Sequence, residues 1–383
     1  MKKSLMALAV LGAMSSVATA QSSVTLYGIV DVGVQWNEQG IAQTGNTTQP
    51  YKQDSTFGVN SGYQSGSRFG LRGSEALGRG WNAVFTLEGG YDVDTGMSGQ
   101  GGRLFGRQAW AGLQHSAAGT FVLGRVATVS SGTGSFDLFG SGAGIDPFST
   151  GWGINGLNST FIPSAALRED NSILWQSPRW AGFQFGANYS FNINGQELTP
   201  SGNNTNGLTI GGNWMRGPFA VAVTYDVLEA PDTAPAGTDD QKMLQLGATF
   251  DFKIVKLHAA YATQDNISIV NTATIGTFRP TGLIGYDNQA YMFGVTVPLF
   301  GGKILASYQY SDADNVSTPT YSFEPDYSVW GIGYEYPFSR RTNMYIGYGQ
   351  AEWDGTVSAT VQATSPSERL DRKQFALGIR HLF

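Results

Sequence analysis

Apolar and polar residues alternate along much of this chain with a period of two. In the first such run Val24, Leu26 and Val30 stand at even positions, while Thr25 and Asp31 stand at odd positions. A helix would scatter these residues around its surface, whereas a strand places them on opposite faces. We therefore predict an all-β protein. The apolar positions of later runs are Phe183, Phe185, Tyr189; Phe219, Val221, Val223; Leu244, Leu246, Phe250; Phe375, Leu377 and Ile379.

The connections between the runs are of two lengths that alternate. Seven short turns separate eight longer segments rich in Gly, Asn, Thr and Asp, which predicts about 16 antiparallel strands. A soluble sandwich has no reason to keep every long connection at one end, whereas a transmembrane β-barrel has short periplasmic turns and long extracellular loops. The turns are at 76–80, 116–119, 178–182, 216–218, 251–254, 298–302 and 337–341, and the loops at 37–66, 92–102, 126–170, 192–206, 227–240, 264–286, 311–326 and 351–371.

Composition excludes several functions, although it does not separate a membrane barrel from a soluble all-β protein. Charged residues make up 14% of the chain, aromatic residues make up 13%, and there are 52 glycines and no cysteine. This composition also suits a soluble, secreted all-β protein, so it does not decide between the two classes. The formal net charge of −6 argues against a nucleic-acid partner. Without cysteine there is no disulfide framework, thiolate metal site or cysteine nucleophile.

Residues 1–20 have the pattern of a cleaved signal peptide. Lys2 and Lys3 precede a short apolar stretch that is followed by Ala18-Thr19-Ala20, which matches a small-residue cleavage site. We expect export of the chain, with residues 21–383 forming a single barrel domain. The final strand ends on Phe383, and it must pair with the first strand because an open edge in lipid would leave backbone groups unsatisfied.

Several stretches of this sequence resemble the general porins of Gram-negative bacteria, particularly the β-proteobacterial branch. The matching stretches are SSVTLYGIVDVG at 22–33, SRFGLRGSEALGRGWNAVFTLEGGY at 67–91, FGRQAWAGL at 105–113, NSILWQSPRWAGFQFGANY at 171–189 and the terminal FALGIRHLF. The resemblance implies a homotrimer of 16-stranded barrels in the outer membrane, in contact with lipid and lipopolysaccharide. It also implies passive diffusion of small hydrophilic solutes and ions, and a third loop folded into the pore.

Arginines are the candidate pore residues on the barrel wall. Arg68 and Arg72 stand opposite in parity to Phe69 and Leu71, so both are predicted to point into the lumen. An arginine facing lipid near the midplane would cost roughly 2–4 kcal/mol, which agrees with that orientation. An alternative is that these arginines only neutralise wall carboxylates.

Three more arginines join this predicted set. Arg107 has the parity of Ala109 and Ala111, opposite Trp110; Arg125 ends a strand, and Arg168 precedes one. The resemblance implies that Arg68, Arg107 and Arg168 belong to a wall cluster at the constriction. The carboxylates that the arginines would neutralise in the alternative are Asp31 and Glu88.

The third loop, roughly 127–167, supplies the candidate acids. It resembles the acidic, glycine-containing loop tip of the family, although the usual Pro-Glu-Phe-Gly run is absent. Asp137 is the first candidate for a carboxylate that faces the arginines, and Asp146 is the second. Since at least three wall arginines would confront about two loop acids, we predict a weak preference for anions.

The sequence fits a diffusion pore better than it fits other functions. A barrel enzyme is disfavoured because His115, His258 and His381 fall on separate strands or turns, His258 alone facing inward as a solvated wall residue. Metal-ligand spacings and phosphate-loop motifs are missing, so no cofactor or metal is expected. A substrate-specific channel is the closer alternative, and a role of the surface loops in adhesion would be compatible with either.

Overall fold

A computed structural model describes residues 22–42, 51–149, 151–155, 168–234, 238–267, 286–314, 316–317, 321–323, 326–354, 358–359 and 372–383. The predicted signal peptide and its cleavage site lie outside these residues. The strands are β1 (Ser23–Ala42), β2 (Tyr51–Ser61), β3 (Arg68–Gly78), β4 (Trp81–Gly90), β5 (Gln108–His115), β6 (Gly119–Ala127), β7 (Arg168–Gln176), β8 (Phe183–Ser190), β9 (Gly207–Arg216), β10 (Phe219–Leu228), β11 (Gln241–Asp251), β12 (Lys256–Ile267), β13 (Tyr286–Leu299), β14 (Gly302–Ala313), β15 (Val316–Ser317), β16 (Tyr321–Phe323), β17 (Asp326–Pro337), β18 (Thr342–Asp354), β19 (Ser358–Ala359) and β20 (Arg372–Leu382). Short 3₁₀ helices cover Gln100–Gly102, Gly153–Asn155 and Ser201–Asn203.

Seventeen of these strands form one closed antiparallel sheet, and β15, β16 and β19 form a separate small sheet. β2 and β3 both pair with β1 along the same edge, so together they fill one strand position. The barrel therefore has sixteen strand positions. β20 closes the barrel against β1, and Gly28 and Phe383 exchange both backbone hydrogen bonds at 3.1 Å. The predicted pairing of the last strand with the first is confirmed. No helix in the described part of the chain is long and apolar enough to cross a membrane.

The seven short turns connect neighbouring strands at one end of the barrel, as the sequence predicted. Two of them, Arg79-Gly80 and Phe300-Gly301, place both central residues at positive φ, between 52° and 83°. Turns of this kind match the twist of the flanking strands, and glycine at the second position adopts positive φ without steric cost. The strand ends that lead into the longer connections therefore all lie at the opposite end.

The distribution of side chains is inverted relative to a soluble barrel. Phe185 and Val221 are 45% and 40% exposed on the outer surface, whereas Asn188 and Gln309 are 1% and 0% exposed on the inner surface. Along β10 exposed and less exposed residues alternate, with Val221 and Val223 outside and Thr224 inside. This arrangement is the one that hydrocarbon outside and water inside require, so the predicted orientation is confirmed.

The described part of the third loop, residues 128–149 and 151–155 after β6, lies against the inner wall. Glycines of the wall leave room for it: a Cβ atom added to Gly247 would lie 2.7 Å from Ile145 of the loop. Similarly, a Cβ added to Gly333 would lie 2.5 Å from Trp152 of the loop. Further glycines that approach the loop in this way are Gly186, Gly294, Gly331, Gly347 and Gly349.

Two features of the inner wall differ from the prediction. Trp110 was expected on the outer face of β5, but it is 8% exposed and its ring centroid lies 5.1 Å from that of Phe136 in the third loop. The physical reason is that the loop covers this wall, so an apolar side chain here meets protein instead of water. In addition, the turn at 62–67 between β2 and β3 brings Tyr63 inward, where it stacks on Tyr345 at 5.8 Å.

Candidate functional site

A buried carboxylate organises the arginine-rich side of the lumen. Glu88, on the inner face of β4, accepts a hydrogen bond from the Tyr27 hydroxyl at 2.9 Å. The Nε of Arg107 lies 2.7 Å from the other oxygen, Oε1, and Nη1 of Arg68 lies 4.0 Å from that same oxygen. Both arginines therefore share one carboxylate, and a net positive charge remains.

Two further predicted arginines lie next to this group. The guanidinium carbon of Arg72 is 5.0 Å above the ring of Tyr27, a cation–π contact on the lumen side of β3. Arg168, at the start of β7, interacts electrostatically with Arg107 and Arg68, which are like charges. The structure thus brings Arg68, Arg72, Arg107 and Arg168 together.

The side chain of Arg107 faces the lumen, but strand parity, from which this orientation was predicted, is not the reason. It precedes β5, and its backbone N–H donates to the carbonyl of Glu88 at 3.1 Å. The inward residues of β5 are Gln108 and Trp110, so strand parity would have placed residue 107 outside. Because the chain is not yet in the strand, its side chain turns inward to the carboxylate.

Arg125 is also an electrostatic neighbour of Arg168, but it binds a different carboxylate from the other arginines. Its Nη1 lies 2.5 Å from Asp170, which also binds Arg103 at 2.8 Å, and its Nε donates to the carbonyl of Gly106. Arg125 lies at a register irregularity between Gly124 and Val126, so its direction is set by these contacts and not by strand parity. Arg125 therefore does not share Glu88 with the other arginines.

A fifth arginine was not selected from the sequence. Arg380 of β20 is paired in register with Asp31 of β1, whose carboxylate accepts a hydrogen bond from Tyr345 at 2.6 Å. Arg380 also interacts electrostatically with Arg68. Its inward parity was visible in the last strand, but its neighbours become apparent only once β20 closes on β1.

The loop acid expected to face the arginines is turned into the loop instead. Asp137 Oδ1 accepts the N–H groups of Gly132 and Phe139 at 3.0 Å. Oδ2 accepts from the N–H and hydroxyl of Ser141 and from the N–H of Gly142, at 2.7–2.8 Å. Burial raises the pKa of the Asp137 carboxyl, and these donors lower it in part. The expectation for Asp137 therefore differs from its observed contacts, because the compact loop needs an acceptor for its own turn.

The second loop acid, Asp146, is also buried, and its Oδ1 accepts the N–H of Phe148 at 2.9 Å. Nearby, the wall binds the loop backbone: Nδ1 of His258 lies 3.0 Å from the carbonyl oxygen of Ile145, and Nζ of Lys256 lies 3.2 Å from that of Gly144. His258 faces inward as predicted, but it contacts the loop and is 5% exposed, so it is not a solvated wall residue.

Carboxylates lie among the wall arginines and compensate part of their charge. Arg68 and Arg107 pair with Glu88, which is also an electrostatic neighbour of Arg168. Arg380 has Asp31 and Glu335 as its acidic neighbours. The class of protein that such a barrel and such a lining define is an outer-membrane channel, which conducts through water inside a closed sheet.

Comparison of this chain with known proteins supports the assignment to outer-membrane channels. The family model for Gram-negative porins matches residues 7–356, and the chain belongs to this family. An outer membrane porin protein of Bordetella pertussis is 34% identical, and outer membrane porin protein 32 of Delftia acidovorans is 31% identical, each over 100% of both chains. A solved structure, the anion-selective porin from Comamonas acidovorans, has a TM-score of 0.69 at 24% identity, covering 95% of this chain and 100% of that one. The protein is thus an outer-membrane porin and not an enzyme.

Proposed function

We propose that the pore passes small hydrophilic solutes and ions by passive diffusion and weakly prefers anions. One observation carries the preference: the arginines outnumber the carboxylates around them, since Asp31, Glu88 and Glu335 are the acidic neighbours found for the five residues Arg68, Arg72, Arg107, Arg168 and Arg380 in the described part of the chain. The carboxylate of Asp137 is buried and directed into its own loop, whose donors occupy both of its oxygens. Fixed positive charge along a narrow aqueous path favours anions.

Exchange of salts in planar bilayers tests this proposal. Replacing chloride by the bulkier acetate should lower single-channel conductance more than replacing potassium by lithium. A larger effect of the cation exchange would contradict the preference for anions.

A substrate-specific channel is the second candidate. It is favoured by Arg68 and Arg107, because these two arginines share the single carboxylate of Glu88 and leave positive charge for binding an organic anion. Conductance that rises linearly with salt supports diffusion. Saturation at low concentrations of one organic anion would support a binding channel instead.

We infer further that the protein is exported by cleavage after Ala20 and forms a homotrimer in contact with lipopolysaccharide. The signal-peptide pattern and membership of the porin family support this inference. N-terminal sequencing of the mature protein and the mass of the unboiled complex in detergent test the two parts separately.

A further inference from the structure

Two carboxylates are buried beside the start of the third loop, away from the arginines. Glu169 of β7 is 1% exposed, and Asp226 of β10 is 5% exposed. Both reach the inner face of β9, where Glu169 Oε1 lies 2.6 Å from the Cβ position of Gly207 and Asp226 is bound by Thr209. The two acids therefore interact electrostatically although their own strands are not adjacent. The porin function described above uses neither of them.

Their hydrogen bonds lead directly to the loop backbone and side chains. Asp226 Oδ1 accepts from the hydroxyl of Ser130 at 2.5 Å. Glu169 Oε2 accepts from Nδ2 of Asn188 at 2.8 Å, and Oδ1 of the same Asn188 accepts the N–H of Val129 at 3.3 Å. Of two consecutive loop residues, Ser130 is thereby bound directly to Asp226, and Val129 is linked to Glu169 through Asn188.

The groups around the acids are neutral on every element that packs there. The polar contacts of this pocket come from Ser130 of the loop, Asn188 of β8 and Thr209 of β9, whose hydroxyl donates to Asp226 at 2.7 Å. β11 turns Met243 inward. The remaining inward groups are Thr128, Ser190, Thr224 and Gln245.

Charged neighbours of the acids point elsewhere. Asp170, next to Glu169, is bound by Arg103 and Arg125. Arg168 on the other side has Arg107 as its largest electrostatic neighbour. In the part of the chain that the structure describes, neither acid forms a salt bridge, and Asp226 Oδ2 is buried with no hydrogen-bond partner.

Two like charges buried together without a cation are strongly unfavourable, and such pairs titrate as a unit. We propose that Glu169 and Asp226 share one proton at neutral pH and so form a proton-dependent anchor for the third loop. When the pH rises and that proton leaves, repulsion separates the two acids. Separation would weaken the contacts to Val129 and Ser130, and the start of the loop would detach from the wall.

A single cysteine measures this detachment cleanly, since the chain has no cysteine of its own. Thr133 lies just after the anchored residues and is 9% exposed. In Thr133→Cys, the rate of modification by a small methanethiosulfonate reagent is measured from about pH 6 to about pH 9, where buried acid pairs can titrate. Part of any rise reflects ionisation of the thiol itself.

Asp226→Asn and Glu169→Gln, each combined with Thr133→Cys, separate the two effects. Each substitution leaves one acid in the pair, so the two like charges can no longer form at high pH. The part of the pH-dependent rise in the Thr133→Cys modification rate that is due to loop detachment should disappear, which should lower that rate at high pH by about threefold or more. Ser135→Cys, at an exposed loop position, is the matched control, and its rate should not depend on the acid pair. Equal pH profiles with and without the substitutions would overturn the proposal.

The rival occupant of the acid pair is a divalent cation, and the same cysteine distinguishes it. If chelator raises the Thr133→Cys rate at constant pH and added calcium lowers it again, a metal ion and not a proton joins the acids, and the proposal is wrong. No effect of either addition supports the proton. Heat-modifiable migration on gels verifies that each variant is folded, and these readouts do not depend on the ion preference of the pore.

Discussion

Two regions of the inner wall have the same alternating pattern in sequence and do different things. The first, the arginine wall, consists of Arg68, Arg72, Arg107, Arg168 and Arg380, which lie on β3, β7 and β20 and just before β5. The second, the glycine wall, consists of Gly247, Gly294, Gly333, Gly347 and Gly349, on β11, β13, β17 and β18. Both regions face inward, but one supplies charge to the lumen and the other supplies space for the third loop.

The comparison shows what an inward position has to satisfy in this barrel. Where water fills the lumen, arginines can stay charged with few counter-charges. Where the loop packs, side chains must be absent or apolar, which explains both the glycines and the inward Trp110.

The largest effect is expected from filling the glycine wall. In Gly333→Val with Gly347→Val, the new side chains would meet Trp152 and Tyr63, because added Cβ atoms lie 2.5 Å and 2.8 Å from these rings. Overpacking of this kind costs about 1–3 kcal/mol per site. The loop should leave the wall, and unit conductance in bilayers should change by about twofold with increased current noise.

Gly58→Val is the matched control, since an added Cβ at Gly58 meets nothing within 4 Å. It should conduct like the unsubstituted protein. If the double variant did the same, the loop would not depend on the glycine wall.

The second effect comes from removing charge at Glu88. Arg68→Ala with Arg107→Ala leaves that carboxylate without its two arginines. The chloride-to-potassium permeability ratio should fall by about fivefold, the equivalent of roughly 1 kcal/mol of charge interaction in water, and conductance should rise. An unchanged ratio would remove both residues from the narrow part of the pore.

A smaller shift toward cations is expected for Arg168→Ala, which removes one positive charge and leaves Glu88 paired. Arg125→Ala provides the contrast, because Arg125 is bound to Asp170 with Arg103. Bi-ionic potentials should show an effect for Arg168 alone. Equal shifts for the two variants would mean that pairing with Asp170 does not decide which arginine acts on ions.

The smallest change in selectivity is expected from Asp137→Asn. Its oxygens bind the turn of the loop, and an amide can accept only part of those bonds. We expect faster proteolysis or thiol labelling of the loop with little change in ion preference. A pronounced increase in anion preference would show that this carboxylate faces the permeating ions after all.

The fold followed from the sequence because a period of two and alternating loop lengths are local signals. Phe185 and Val221 could be placed outside, and Asp31 inside, without knowing any contact. The site was predicted less completely. Arg68 and Arg72 lie within a regular strand, so parity placed them correctly.

The residues that were missed or misplaced depend on long-range packing. Arg380 meets Asp31 only through barrel closure, and Trp110 turns inward only because the third loop covers it. Asp137 looked like a pore acid because no local pattern announces that a loop will bind its own carboxylate. Interactions between distant segments are what a single sequence conceals.

The reversal potential of the purified protein in a KCl gradient tests the central claim most directly. If uncompensated arginines dominate the lumen, the zero-current potential should have the sign of the chloride equilibrium potential and a small magnitude. A potential with the sign expected for potassium would contradict the account.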